Sequence, residues 1–366
     1  MGHVGRVLIF VTIVLSSTVS MSSLRAALVT SLGVLGDDTH SSAVDINDAG
    51  VVVGASFHFP PTVFQPPPVF QGFRWTAAGG MQPIGWAGGA QSVVNAVNEA
   101  GVSAGWANES GQFVERGFVH APPAAMQTVP GAGPATGIND NGVIVGNGVA
   151  SGVGHAYLYT GSGSPQVLGV IGGQFSNAND INNAGVVVGW TNINTTALKR
   201  AARHVNGAWS AIPGLSNFTD SEARAINEAG DIVGMVGSSG AFRFNSATGT
   251  TTLLTSPFGI SRQAWDINDA GFVVGSIDGA RAALWRPDGS FVDLETWLDV
   301  TSPAEGLSVT LRQANAINNQ GFIVGNAGSG GGQGAFLLDA RSLVPEPAAI
   351  SLILPAAAAL LRRRRR

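Results

Sequence analysis

Carboxylates are the reactive groups this chain has in quantity: 23 Asp and Glu among 366 residues, against six His and no Cys. Many sit beside a recurring Asn-x-x-Gly unit, as Asp45 and Asp48 do in AVDINDAGVVVG at 43–54. Three chemistries suit acids in such a pattern. A calcium loop needs the order D-x-[DN]-x-[DN]-G and a bidentate Glu further on. Ala49 breaks that order here and no such Glu follows, so no metal is expected. A glycosidase or lyase needs two carboxylates converging on one bond, which the abundance of acids permits. Turn chemistry needs only an Asn or Asp whose side chain bonds nearby backbone, and it accounts for the repetition.

The other reactive side chains add little. His120 and His204 alternate with apolar residues and read as structural, as in a strand with one face buried. No HExxH, GxSxG, P-loop or GxGxxG ahead of a helix occurs. The lack of Cys excludes disulfides, thiolate zinc sites and a cysteine nucleophile. Trp86, Trp106 and Trp190 lie on or just after strands and would stack on sugar rings if exposed, whereas Trp75 and Trp285 read as core. No catalytic residue, cofactor or ligand-binding residue can be assigned on this basis. Charge narrows the partners. Apart from Arg6, Arg25 and Arg362 to Arg366, 12 cationic residues face 23 acidic ones, a poor surface for nucleic acid.

The elements that position these residues come from seven repeats. Their anchors are Asn47 with Gly50, Asn98 with Gly101, Asn139 with Gly142, Asn182 with Gly185, Asn227 with Gly230, Asn268 with Gly271 and Asn318 with Gly321. A second glycine follows four positions later each time, at Gly54, Gly105, Gly146, Gly189, Gly234, Gly275 and Gly325. The spacing is about 41 to 51 residues. Asn at the first position of a type I turn, bonding the backbone two residues on, with Gly at the fourth, predicts a tight β-hairpin with a bulge. A second hairpin follows, with large residues at alternate positions such as Phe73 and Trp75, or Phe242 and Phe244. Four antiparallel strands at this period describe a β-propeller blade. The fold expected is therefore all-β: a seven-bladed propeller of four-stranded antiparallel blades. The longer gaps, at 59–71 and 301–313, are expected to be loops. The seventh repeat lacks a fourth strand, and residues 28–36 resemble the segment before another repeat's turn. An N-terminal strand is thus expected to complete the last blade and leave no open edge.

Both ends read as addresses. Residues 1–26 hold Arg6, the apolar run VLIFVTIVL and a Ser-rich stretch, the pattern of a secretory signal peptide. Residues 27–343 hold the repeats, and 344–366 hold Pro345-Glu346-Pro347, an apolar run and the terminal arginines. An apolar run held by arginines suits a stop-transfer element, so the membrane is met only through this tail. The tail resembles the PEP-CTERM sorting signal of Gram-negative bacteria, which implies processing by exosortase at Pro345, Glu346 and Pro347. The repeats resemble the extracellular HAF-repeat family through His155-Ala156-Tyr157 and the Gly-Ala-Phe triplets at 240–242 and 334–336. That resemblance implies a secreted repeat protein with no assigned activity. The expectation is a non-enzymatic surface or matrix protein of a Gram-negative bacterium. The sorting-family resemblance adds an association with extracellular polysaccharide. The alternative is a propeller glycosidase or polysaccharide lyase using converging carboxylates.

Overall fold

In the computed structural model the described residues are 27–58, 69–111, 114–148, 154–193, 198–237, 240–258, 262–278, 280–329 and 332–344. The signal-peptide and Pro345-Glu346-Pro347 readings lie outside them. Seven four-stranded antiparallel sheets form the blades of a β-propeller. The first takes its strands in sequence order: His40–Ile46 innermost, then Val52–His58, Val69–Thr76 and Gly80–Pro83. Blades two to six repeat this order, with inner strands Gly88–Val97, Ala135–Ile138, Ser176–Ile181, Ser221–Ile226 and Arg262–Ile267. Blade seven contributes only three consecutive strands, Thr310–Ile317, Phe322–Ser329 and Gly332–Asp339. Its fourth is Val29–Gly33, antiparallel to the third with Val29 opposite Leu338 and Ser31 opposite Phe336. The expected closure is present, on a strand shorter than 28–36.

The core lies between blades. Phe73, Phe118, Tyr157, Phe242 and Phe336 occupy equivalent third-strand positions and are all fully enclosed. In blades four and six Ala202 and Ala283 stand there instead. The closing junction is packed like the others. Leu32, Leu35, Ala316, Val324 and Ala335 meet Ala43, Val52 and Phe73 of blade one. Each such fully buried aliphatic or aromatic side chain contributes about 1.5–3 kcal/mol.

The segment between blades six and seven is helical, starting ahead of the loop expected at 301–313, whose end belongs instead to the strand Thr310–Ile317. Helix α1 spans Leu294–Thr301 and α2 spans Pro303–Gly306. Leu294 and Leu298, one helical turn apart, bury completely in the core between blades six and seven, and Asp293 caps α1 by accepting from the Thr296 N–H at 3.1 Å. The Glu305 carboxylate accepts the N–H groups of Leu28 and Val29, at 3.1 and 2.7 Å. The insert therefore pins the start of the closing strand.

Candidate functional site: the axial channel

The repeated turn does more than reverse the chain. Gly50 donates its N–H to the Asn47 carbonyl, closing the turn with a left-handed glycine (φ 74°). The Asn47 side chain does not make the bond expected two residues on. Its Oδ1 accepts the N–H of Val51, four residues on, at 2.9 Å. Its Nδ2 donates at 3.0 Å to the backbone carbonyl of Asn98, the equivalent residue of blade two. The same pair of bonds recurs in every blade. Asn98, Asn139, Asn182, Asn227 and Asn268 each donate to the next anchor, and Asn318 donates back to Asn47 at 3.0 Å. Seven buried amides thus form a closed hydrogen-bonded ring. Pairing with backbone carbonyls also fixes which amide atom is nitrogen.

The following residue forms a second ring. The backbone N–H of Asp48 donates to Glu99, Glu99 to Asp140, Asp140 to Asn183, Asn183 to Glu228, Glu228 to Asp269, Asp269 to Asn319 and Asn319 to Asp48. Five carboxylates gather at this end, each already accepting a backbone N–H. The acids beside the turns are therefore structural, as turn chemistry predicts. They surround a cavity of about 400 Å³.

Deeper in the channel the sequence places something different. Every inner strand carries a bulge three residues before its anchor Asn. A bulge inserts one unpaired residue and re-aims its side chain. The seven extra residues are Val44, Asn95, Thr136, Asn179, Arg224, Trp265 and Asn315, and all line a second cavity of about 530 Å³. The second glycine of each repeat follows from the same geometry. A Cβ on Gly54 would overlap the Ser42 carbonyl, and one on Gly189 that of Asn177. The other five positions are equally closed by the bulged strand's backbone.

Bulge residues also tie the blades together. Asn95 donates Nδ2 to the Ala135 carbonyl at 2.7 Å, Thr136 its hydroxyl to Ala178 at 2.8 Å, Asn179 to Ala223 at 2.6 Å and Asn315 to Ala43 at 2.6 Å. The Arg224 guanidinium lies 4.5 Å from the Trp265 ring centre and 3.2 Å from Glu222. Two residues before the anchor, blades one, four and six carry Asp45, Asp180 and Asp266. Each carboxylate accepts the next N–H in its own strand and an N–H of the following blade: Val97 at 2.8 Å, Ile226 at 2.9 Å and Ile317 at 2.8 Å. Asp45 and Asp266 line both cavities, so the two meet along one axial channel. Desolvation pushes all three carboxyls up, Asp180 and Asp266 to about 7, and repulsion from Asp45 adds to both of those shifts.

Of the tryptophans that the sequence offers for stacking, Trp86 is exposed, while Trp106 and Trp190 are half-buried. Lys199 caps the Trp190 ring at 4.6 Å. Trp75 and Trp285 are core, as expected. His204 and Trp209 pack edge to face, and burial lowers the pKa of both His120 and His204. Sequence reasoning missed the bulge residues, Trp265 and Arg224 above all. The signal was present: a fixed offset ahead of each anchor where residue type varies while the turn does not. No group of three or more His, Asp or Glu among the described residues could hold a metal ion, and none of their helices is long and apolar enough to cross a membrane.

No family model matches the chain, and no curated protein matches it. Among solved structures it is similar to the extracellular domain of BT4673 from B. thetaiotaomicron, at 10% identity and a TM-score of 0.51, over 84% of this chain and 39% of that one. It is also similar to TolB from Acinetobacter baumannii, at 13% identity and a TM-score of 0.45, over 65% of this chain and 62% of that one. A third is YCF48 bound to D1 peptide, at 12% identity and a TM-score of 0.46, over 86% and 98%. The chain thus spans less than two thirds of the first two. At these identities the likeness speaks of fold alone.

Proposed function

We propose that this chain is an exported β-propeller with a non-enzymatic binding role at the cell surface or in the extracellular matrix, its ligand entering the channel from the bulge-lined end. The observation that carries this reading is the contrast between two levels of one channel. At the turn level all seven positions are Asp, Glu or Asn and repeat one bond. At the bulge level seven strands present Val, Asn, Thr, Arg and Trp around about 530 Å³, a volume suited to a small ligand. Repetition serves closure, and variation supplies recognition. Export and exosortase sorting rest on the resemblance of the two ends. Association with extracellular polysaccharide rests on the tail resemblance and on the amide-rich lining, which suits hydroxyl partners. A glycan-array screen of the purified protein tests the reading. Binding that Asn95→Ala or Thr136→Ala abolishes while the fold persists upholds it. Full-length protein with Met1 intact, confined to the cytoplasm, contradicts the export part.

The three channel carboxylates favour a second reading, a glycosidase or lyase, because two titrate near neutrality as a general acid must. Against it, both oxygens of each carboxylate accept backbone N–H groups, which holds them to the wall. Release of reducing ends from a polysaccharide, lost in Asp266→Asn, would establish this second reading in place of the first.

A further inference from the structure

Resting on the binding reading above, we propose that the axial channel takes an alkylammonium group, a protonated amine on a flexible carbon chain, from a free polyamine or a lysine side chain.

The amide and hydroxyl donors of three bulge residues in the wall are spent on neighbouring blades. Asn95 and Asn315 spend Nδ2 on the neighbouring blade, and the buried Oδ1 of Asn326, on the same lining, accepts no hydrogen bond, while Trp265 Nε1 is a buried donor left unpaired. Thr136 spends its hydroxyl proton on the Ala178 carbonyl. An ammonium group offers three donors and no acceptor, the complement of the Asn326 oxygen and of the three carboxylates. Charge points the same way. No cationic side chain among the described residues pairs with Asp45, Asp180 or Asp266. Arg224, on the strand beside Asp180, is committed to Glu222 and to the face of Trp265. The other charges that Asp180 and Asp266 meet are those of Asp45, Glu228 and each other, all negative. A neutral glycan can bond the lining amides but leaves these charges uncompensated. Among the described residues no three acids stand together as a set of metal ligands. An extended cation can reach them in turn, through the channel that Asp45 and Asp266 share with the turn-side cavity and its five further carboxylates.

Such a ligand competes with protons for the same carboxylates, so its affinity must rise with pH. The test is calorimetric titration of the purified protein with spermidine at about 0.15 M salt, where surface attraction is largely screened. Affinity is expected to fall on going from pH 8 to pH 5.5, by about tenfold per pH unit below 7 for each proton displaced. Asp180→Asn and Asp266→Asn should each weaken binding at least about tenfold, as loss of one close charge partner does. Asp288→Asn, at an exposed turn, should leave it unchanged. The pH arm needs no variant and stands if a substitution fails to fold. Repeating the titration with a lysine tripeptide assigns the source: tighter binding of the peptide points to a protein partner, tighter binding of spermidine to a free amine. No binding at pH 8, or binding insensitive to pH and equally weakened by Asp288→Asn, overturns the proposal. If amines fail while a neutral glycan binds, the cation inference falls and the binding-propeller reading stands.

Discussion

Each anchor asparagine makes bonds that no other side chain reproduces, because one small group must accept from its own turn and donate to the next. Asn139 accepts from Val143 at 2.9 Å in part-buried surroundings and donates to the buried Asn182 carbonyl at 3.0 Å. Asn139→Ala leaves the Val143 N–H unpaired and removes one of two donors from the Asn182 carbonyl, which keeps the Gly185 N–H, and is expected to cost about 1–3 kcal/mol. Asn139→Asp keeps the acceptor but loses the donor, and turns a carboxylate oxygen on the Asn182 carbonyl. It should be no better than Ala at neutral pH and should improve on acidification. Urea unfolding of both variants at two pH values checks this. The channel acids set a second residue-level expectation. The folded pKa of Asp180 and Asp266, about 7, lies above the unfolded 3.8, so the native state binds protons more tightly. The stability this contributes is fully present below pH 3.8 and is lost as pH rises through about 7. Midpoint denaturant concentrations between pH 5 and 8 should therefore decline for the native protein, and the Asp180→Asn, Asp266→Asn pair should flatten that slope. A slope unchanged by the pair would refute the assignment.

The elements were legible where a residue's role is local, and obscure where it is made by a neighbouring blade. Period-two alternation marked Phe73 and Phe242 as core, and Asn-x-x-Gly marked every turn. The destination of the asparagine amide was not legible, since its partner lies in the next blade, 41 to 51 residues on or, at closure, 271. Helix α1 was hidden by its length, as two buried leucines make too short a pattern to separate from a strand. The channel-lining set was hidden because a bulge breaks alternation at the very residue that faces the ligand. The paired glycines make this testable within one blade. Gly185 is left-handed (φ 77°) with open space around it, so Gly185→Ala should cost about 1–3 kcal/mol in strain and still fold. Gly189→Ala sets a Cβ against the Asn177 carbonyl and should abolish soluble expression. If the two variants behave alike, the bulge is not what the second glycine serves.

At the scale of the whole molecule, stability depends on a ring with no free edge. The contacts that cross the last junction include the Asn318 to Asn47 bond at 3.0 Å, the Asn319 to Asp48 bond at 2.7 Å, the Asn315 to Ala43 bond at 2.6 Å and the apolar cluster joining Leu32 and Leu35 to Phe73. The N-terminal segment adds Leu32 and Leu35 to the apolar part, and Glu305 holds the N–H groups of Leu28 and Val29 where the closing strand starts. The most direct measurement is the melting temperature of two truncated proteins, one beginning at residue 27 and one at residue 37. Removing 27–36 strips Leu28, Leu32 and Leu35 from the core and exposes a strand edge, a loss of several kcal/mol at about 1.5–3 kcal/mol per buried side chain. The protein beginning at 27 should melt as the full chain does, and the one beginning at 37 should aggregate or melt at least about 8 °C lower. Equal melting temperatures for the two would contradict a ring closed by its N-terminal strand.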